Sequence, residues 1–326
     1  MGIMKYSSLA FLFVFSIFFA QAAQAQQTFP QWLAQLKIDA YNQGVRPTTL
    51  ERVMPQITLD TEVIELDARQ PEKKKTFADY LRGTLPPSRI AQGKELLTEH
   101  DQLLKQIEKL YGIPAELIVA LWGIESSFGD NMGEFSVLDS LATLAYEGRR
   151  EEFFRNQLIE ALHILDEEAI APESFTGSWA GAMGQCQFMP STYRAYAVDY
   201  DRDGKRDIWW SESDVFASIA NYIKAEGWNG AHRWGVEVAR STSIPSQMMG
   251  LEKGYPVSYF HKHGITTLSG ESLGHPDQIA YLIEPDGSQG PRFLVFENFK
   301  ALMKWNRSTY FAVTVGLFAD AIKSSS

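Results

Sequence analysis

The chain has 326 residues, 45% of them hydrophobic and 21% charged, with 24 Gly and 14 Pro. That length suits about two domains with a sizeable core, and the composition excludes a collagen-like, low-complexity or wholly disordered chain. A net charge of −10 disfavours phosphate backbones, so no nucleic acid partner is expected, and the single cysteine, Cys186, excludes an intrachain disulfide.

Lys5 precedes an apolar run from Leu9 to Ala20, and Ala23-Gln24-Ala25 follows. The run falls short of the ~20 residues that cross a bilayer, and the small-x-small triplet fits a signal peptidase site. The segment reads as a cleaved export leader, cut after Ala25, instead of a retained anchor. No cysteine near the cut offers a lipidation site, and no later run is long enough to span a membrane.

Residues 29–110 read as mostly helical. Trp32, Leu33, Leu36 and Ala40 recur at helical spacing between Phe29 and Gln43. Arg46-Pro47 breaks that helix, with Thr48 or Thr49 as N-cap of the next. Pro86-Pro87-Ser88 opens another helix, expected to run from Arg89 through Leu110. A second helical stretch, rich in Gly, Trp and Tyr, covers 111–235. In it, Pro114 sits at a helix start and Gly129 just past its end. Leu117, Leu121 and Glu125 are spaced i, i+4, i+8 and so share one face. A carboxyl at the edge of an apolar face is desolvated, its pKa rises, and it suits a general acid. The same spacing also suits a structural glutamate paired with an arginine or capping a helix.

Asp199, Asp201, Asp203 and Asp207 stand at positions 1, 3, 5 and 9 of a loop with Gly204 at 6, the front half of an EF-hand. Lys205 would add its backbone carbonyl. Trp210 occupies position 12, where the bidentate Glu belongs, so Glu212 or Asp214 would close the site from a longer loop. Residues 241–296 carry Gly and Pro at close spacing, with short extended runs at Gln278–Glu284 and Arg292–Phe296 and Asp286-Gly287 between them. These signals predict a small β subdomain with a hairpin. His261-Lys262-His263 reads as a loop pair, and Trp209, Trp210, Trp228 and Trp234 as core. Phe299–Ile322 reads as a helical tail broken around Asn306.

Trp122-Gly123-Ile124-Glu125-Ser126-Ser127-Phe128-Gly129 resembles the catalytic signature of lysozyme-like lytic transglycosylases. Ser178 through Ser191, Ala220-Asn221-Tyr222 and Trp305-Asn306-Arg307-Ser308 are similar, in the same order, to further motifs of one family, the membrane-bound lytic murein transglycosylase B type, glycoside hydrolase family 103. The resemblance runs from about Trp32 to Ala321. It implies a mainly α (α+β) fold with a lysozyme-like helical core at 111–240. A helical domain at 26–110, rejoined by a C-terminal segment at 297–326, and the β subdomain at 241–296 would flank it. It implies a periplasmic enzyme acting on peptidoglycan glycan strands, with the cell-wall synthesis or division machinery as partner.

The implied reaction cleaves the β-1,4 bond between N-acetylmuramic acid and N-acetylglucosamine and leaves a 1,6-anhydromuramoyl end. Attack by the sugar's own 6-hydroxyl removes the need for the second carboxylate of most glycosidases. Glu125 then acts first as acid and afterwards as base. By the same resemblance Ser178 lies beside the acid, Gln187 lines the glycan site, and Tyr80, Tyr222 and Asn306 reach into it. Arg150 would take the lactyl carboxylate, a fit for its guanidinium fork. Asp214 matches a late aspartate of the family's lengthened calcium loop, so a structural Ca²⁺ is expected and no cofactor for catalysis. Two departures stand out: Phe311 replaces a tyrosine, and Trp305 replaces a tyrosine before the asparagine. Cys186, inside the glycan motif, reads as a packing residue. The rival readings are a hydrolase using Asp139 or Glu147 as second carboxylate and a non-catalytic wall-binding scaffold.

Overall fold

The computed structural model describes residues 27–323 apart from 70–74, 169, 240–244, 269 and 271. The expected leader and its cut at Ala25 lie outside them. The first helix, Phe29–Asn42, buries Trp32, Leu36 and Ala40, the stripe read from the sequence. The next helix, Pro47–Val53, begins two or three residues earlier than the Thr48 or Thr49 cap would place it. Proline at its first position has φ already set for a helix, so Arg46 takes the cap position and no hydroxyl is needed.

The helix expected from Arg89 to Leu110 is two helices, Pro87–Glu99 and Asp101–Tyr111, hinged at His100 (φ −94°, ψ 15°). The hinge lets the His100 ring meet Phe216 edge-on at 5.3 Å and Trp122 at 5.9 Å. The second of the pair stops at Gly112, left-handed at φ 73°.

The glutamate helix, Ala115–Ser126, runs through the middle of the core, and every residue from Leu117 to Gly123 is buried. Against it pack the Pro87–Glu99, Asp101–Tyr111 and Glu212–Ala225 helices and the returning C-terminal helix, Thr309–Ile322. Close approach is possible because Gly123 has no side chain. A Cβ there would stand 2.6 Å from the Phe128 ring and 2.9 Å from the Phe318 ring. The tail breaks where the sequence suggests, between Glu297–Trp305 and Thr309–Ile322, with Asn306 extended and Ser308 capping the last helix through the Phe311 N–H.

Strands are few. β1 (Phe135–Ser136) and β2 (Thr176–Gly177) make one short antiparallel ladder. β3 (Gly235–Val238), β4 (Tyr255–Pro256), β5 (Ile279–Ile283) and β6 (Arg292–Val295) form an antiparallel sheet of order β3-β6-β5-β4. The sheet begins at Gly235, before the composition change at 241. Its alternation serves two cores: Ala280, Leu282, Leu294 and Phe296 join a small separate cluster with Phe260, while Tyr281, Ile283, Phe293 and Val295 join the main one. His261 lies in the last turn of a short helix, Val257–Lys262, instead of a loop. The β5–β6 hairpin tip is tied down. The Asp286 carboxylate accepts the Phe77 N–H at 2.6 Å and the Tyr310 hydroxyl.

Gly123→Ala should therefore lower stability by about 1–3 kcal/mol through overpacking, since both facing rings sit in the core. Urea denaturation followed by circular dichroism checks it; an unchanged midpoint would show that the Phe128 and Phe318 rings can yield.

Candidate active site

The glutamate helix ends abruptly just after Glu125. Ser127 (φ 52°), Phe128 (φ 61°) and Gly129 (φ 91°) are left-handed in succession. Two of them carry side chains, so the turn stores backbone strain of order 1–3 kcal/mol per residue. It is held by its surroundings. The Gly129 N–H donates to Ser126 Oγ at 3.0 Å, the Asn131 N–H to the Ser126 carbonyl at 2.8 Å, and Arg89 to Ser127 Oγ at 3.0 Å. The Phe128 ring folds back against Trp122, centroids 5.3 Å apart. The turn thus fixes the helix end on which Glu125 stands.

Glu125 is partly exposed and makes one short side-chain contact: the Trp305 indole N–H donates to its Oε1 at 2.6 Å. Burial pushes its pKa up to about 7, and the Trp305 N–H works the other way by favouring the ionised form. No carboxylate is among the influences on it. The carboxyl therefore changes protonation state near neutral pH, as a group that must serve as acid and then as base requires. Trp305 is itself fixed by packing, its ring 4.9 Å from Tyr222 and 5.4 Å from Phe188.

The residues singled out from the sequence fall into three settings. Tyr80 and Tyr222 come close. Burial raises the pKa of the Tyr80 hydroxyl, its bond to Thr84 lowers it, and the Glu125 charge raises it further, which places Tyr80 within electrostatic reach of the acid. Its ring lies 5.7 Å from Tyr310, whose hydroxyl is held by the Asp286 hairpin tip. Tyr222 stands one shell back. It donates to the Lys304 carbonyl at 2.8 Å and packs on Trp305, and burial first, then Glu226 and Tyr196, keep its hydroxyl protonated.

Ser178, Gln187 and Asn306 brace loops around the helix. Ser178 Oγ accepts the Ala182 N–H at 3.0 Å, just past β2. Gln187, left-handed at φ 50°, donates to the Met132 and Gly184 carbonyls at 3.0 and 2.9 Å. The two loops are pressed together: a Cβ on Gly133 would stand 2.2 Å from the Gly177 carbonyl. Asn306 is exposed beside Trp305 and accepts the Ser308 N–H at 3.1 Å. Arg150 lies elsewhere. It pairs with buried Asp67 at 3.3 Å and covers the Phe154 ring at 4.6 Å, and no described contact joins it to Glu125.

The two rival second carboxylates are engaged. Asp139 accepts the Thr58 N–H at 2.7 Å and Glu147 is exposed on its helix end, accepting the Arg149 N–H at 3.3 Å. Phe311 and Cys186 are buried. The Cys186 thiol is held well above its ordinary pKa by burial, then by Glu125 and Asp214, so it is inert packing beneath the acid.

Two functional positions escaped sequence reasoning. Trp305 was visible only as a replaced tyrosine, yet its indole N–H is the donor to Glu125 Oε1. Gln185 links Trp122 Nε1 at 2.6 Å to the Trp209 carbonyl at 2.8 Å, bolting the glutamate helix to the acidic loop. Its position inside the glycan motif was the available signal.

In that loop the carboxylates of Asp199, Asp201 and Asp203 bring one oxygen each within 4.8 Å of one another, the one such cluster among the described residues. Three hard oxygens converging round Gly204 (φ 90°) suit Ca²⁺. Asp214 does not join them. It is buried and accepts the Tyr200 and Asp207 N–H groups at 2.7 and 2.9 Å. The Lys205 N–H donates to Asp203 Oδ1 at 2.9 Å.

A family model described as a transglycosylase SLT domain matches residues 28–320. The chain belongs to that transglycosylase family. It is 32% identical over 244 residues to membrane-bound lytic murein transglycosylase B of Escherichia coli, covering 74% of this chain and 66% of that relative. SltB3 from Pseudomonas aeruginosa, solved with NAG-NAM-pentapeptide and with NAG-anhNAM-pentapeptide, superposes with a TM-score of 0.87 at 41% identity. Those matches cover 92% and 91% of this chain and 80% of SltB3. Slt35 of E. coli in complex with calcium superposes with a TM-score of 0.76 at 29% identity, covering 89% of this chain and 92% of that one. The mainly helical fold with small antiparallel sheets is thus the Slt35-like fold.

Trp305→Phe keeps the ring between Tyr222 and Phe188 but removes the donor. A hydrogen bond that favours the ionised carboxyl is lost, so the Glu125 pKa should rise above about 7. At about 1.5–3 kcal/mol for a charged hydrogen bond, the alkaline limb of the pH–rate profile should move up by about one to two units. A limb that stays put would remove Trp305 from the acid's environment.

Proposed function

We propose that this chain is a peptidoglycan lytic transglycosylase in which Glu125 alone serves as acid and base. The observation that carries the reading is the Glu125 carboxyl itself. Burial pushes its pKa up to about 7, one indole N–H orients it, and among the described residues no second carboxylate is among the influences on it. Protonated Glu125 gives its proton to the glycosidic oxygen as the bond from the muramoyl anomeric carbon breaks. The N-acetyl group of the same sugar steadies the positive charge. The carboxylate then takes the proton of the 6-hydroxyl as that oxygen closes on the anomeric carbon. Protons balance, no water enters, and the enzyme ends as it began. The Trp305 N–H serves both halves, because a donor fixed on Oε1 leaves Oε2 to carry the proton out and back.

The product seen with SltB3, NAG-anhNAM-pentapeptide, has the anhydro end this route makes. Tyr80 and Asn306 flank the acid as sugar contacts, Ser178 and Gln187 set the loops that carry the glycan, and Arg150 reads the lactyl carboxylate while anchored on Asp67. The Asp199, Asp201 and Asp203 carboxylates hold Ca²⁺ with the Lys205 carbonyl beside them, Asp214 braces the loop through the Tyr200 and Asp207 N–H groups, and the ion stabilises the fold. Among the described residues no helix is long and apolar enough to cross a membrane. The leader pattern and the relation to a membrane-bound murein enzyme support export to the periplasm and work beside the wall-building machinery.

Glu125→Gln should abolish release of anhydromuropeptides from purified sacculi. With the native protein, mass spectrometry should find products one water lighter than hydrolysis gives, and their formation should fall about tenfold per pH unit above pH 7, where the acid form is lost. Products carrying the extra water would overturn the reading in favour of a hydrolase. For the ion, excess Ca²⁺ added after chelation should raise the melting temperature by several degrees, as a ligand far above its Kd adds about 2–3 kcal/mol. Asp201→Ala should lose that increment, and an equal increment in the variant would exclude this loop.

A further inference from the structure

Trp210 is the most exposed of the large hydrophobic side chains described, at 77% of its surface. It stands at a cavity of about 280 Å³ whose lining includes Tyr193, Trp209, Ile170, Lys205 and Arg206, and which contains neither Glu125 nor any residue placed around it above. The walls are rigid. Trp209 is 5% exposed and donates its indole N–H to the Thr176 carbonyl at 3.1 Å. Its ring lies 5.9 Å from Tyr193, whose hydroxyl donates to the Arg206 carbonyl at 2.7 Å. Arg206 covers the Tyr193 ring at 5.1 Å and pairs with Glu168 at 2.6 Å.

Trp210 itself is held outward. Its backbone N–H and that of Trp209 both donate to Asp207 Oδ1 at 2.9 Å, so the turn cannot roll the indole into the core. Leaving so large an apolar face in water forgoes a burial gain that the fold could have taken. A fixed aromatic plane over a half-polar cavity presents the surface on which the C–H face of a sugar ring stacks, with polar groups at the edge for its hydroxyls and amide. Lys205, exposed at the rim, complements a carboxylate.

We propose that the Trp210 cavity is a second saccharide site, binding an N-acetyl amino sugar of the glycan strand away from the catalytic glutamate. The identity of the sugar rests on the proposed function. A polymer offers many equivalent rings, so a second weak contact raises residence on the wall by effective concentration without touching the chemistry.

The full-length chain carrying Glu125→Gln binds sacculi without cutting them, so sedimentation reads affinity. Adding Trp210→Ala should weaken that binding about fivefold to tenfold, and Trp210→Phe should restore much of it. With Glu125 intact, Trp210→Ala should turn over a soluble tetrasaccharide at the native rate but release less from sacculi. Sacculus affinity within twofold of the parent would overturn the proposal. So would an equal loss on the tetrasaccharide, since Trp210 would then belong to the catalytic site. Chitotetraose titrated against the Glu125→Gln protein should also change its tryptophan fluorescence, and Trp210→Ala should remove a distinct part of that change while leaving the part that Trp305 reports from the catalytic site. This readout needs no turnover. If the native protein made no anhydro product, the functional reading would fail while the partial fluorescence loss still supported a sugar site, and a change undiminished without Trp210 would overturn the site.

Discussion

The structure turns on one hydrogen bond between residues 180 positions apart, from the Trp305 indole to the Glu125 carboxyl. Burial alone would hold that carboxyl protonated and reluctant to release its proton, and full solvation would leave it ionised at neutral pH with no proton to give. The bond sets it between the two, near pH 7. Much of the surrounding architecture serves the bond. The strained Ser127–Gly129 turn fixes where the glutamate helix stops, and the break at Asn306 aims Trp305 back toward it. Gly123 lets the last helix lie close enough for both to hold.

Electrostatics and packing divide the work around the acid. Tyr80 and Cys186 both sense its charge, but neither offers it a competing carboxylate. Phe188, Tyr222 and Trp305 pack ring against ring and hold the donor in place, while Glu125 itself stays partly exposed. The acidic loop is coupled to this region through Gln185 and Trp209, which fits an ion that supports the helix without touching the substrate.

The parts of the fold written in short-range pattern were legible. The first helix announced itself through Trp32, Leu36 and Ala40 and the hairpin through Asp286-Gly287 between two apolar runs; Leu117 and Leu121 on the face of Glu125 showed a carboxyl at the core's edge, while its reading as the acid came from the family resemblance. What failed depended on distant partners. The hinge at His100 answers to Trp122 and Phe216, which local propensity cannot see. The early start at Pro47 follows from the proline ring, which competes with a threonine cap and wins. Trp305 was read as a loss of a hydroxyl because residue type alone does not show where a donor points. Arg150 shows the same limit: residue type reveals a guanidinium suited to a carboxylate, but not that the protein's own Asp67 engages part of it.

The long span between Glu125 and Trp305 sets an order of events in the life of each molecule. Ribosomes make Trp305 last of the two, so a nascent chain carries an acid without its donor until the final helices emerge and fold back. The hairpin clasp on Phe77 and Tyr310 ties the Phe77–Thr84 helix to the Thr309–Ile322 helix in the same closing act. Chains interrupted before Trp305 therefore carry the carboxyl without its donor, and the pair comes into being only once that residue has been made and folded back.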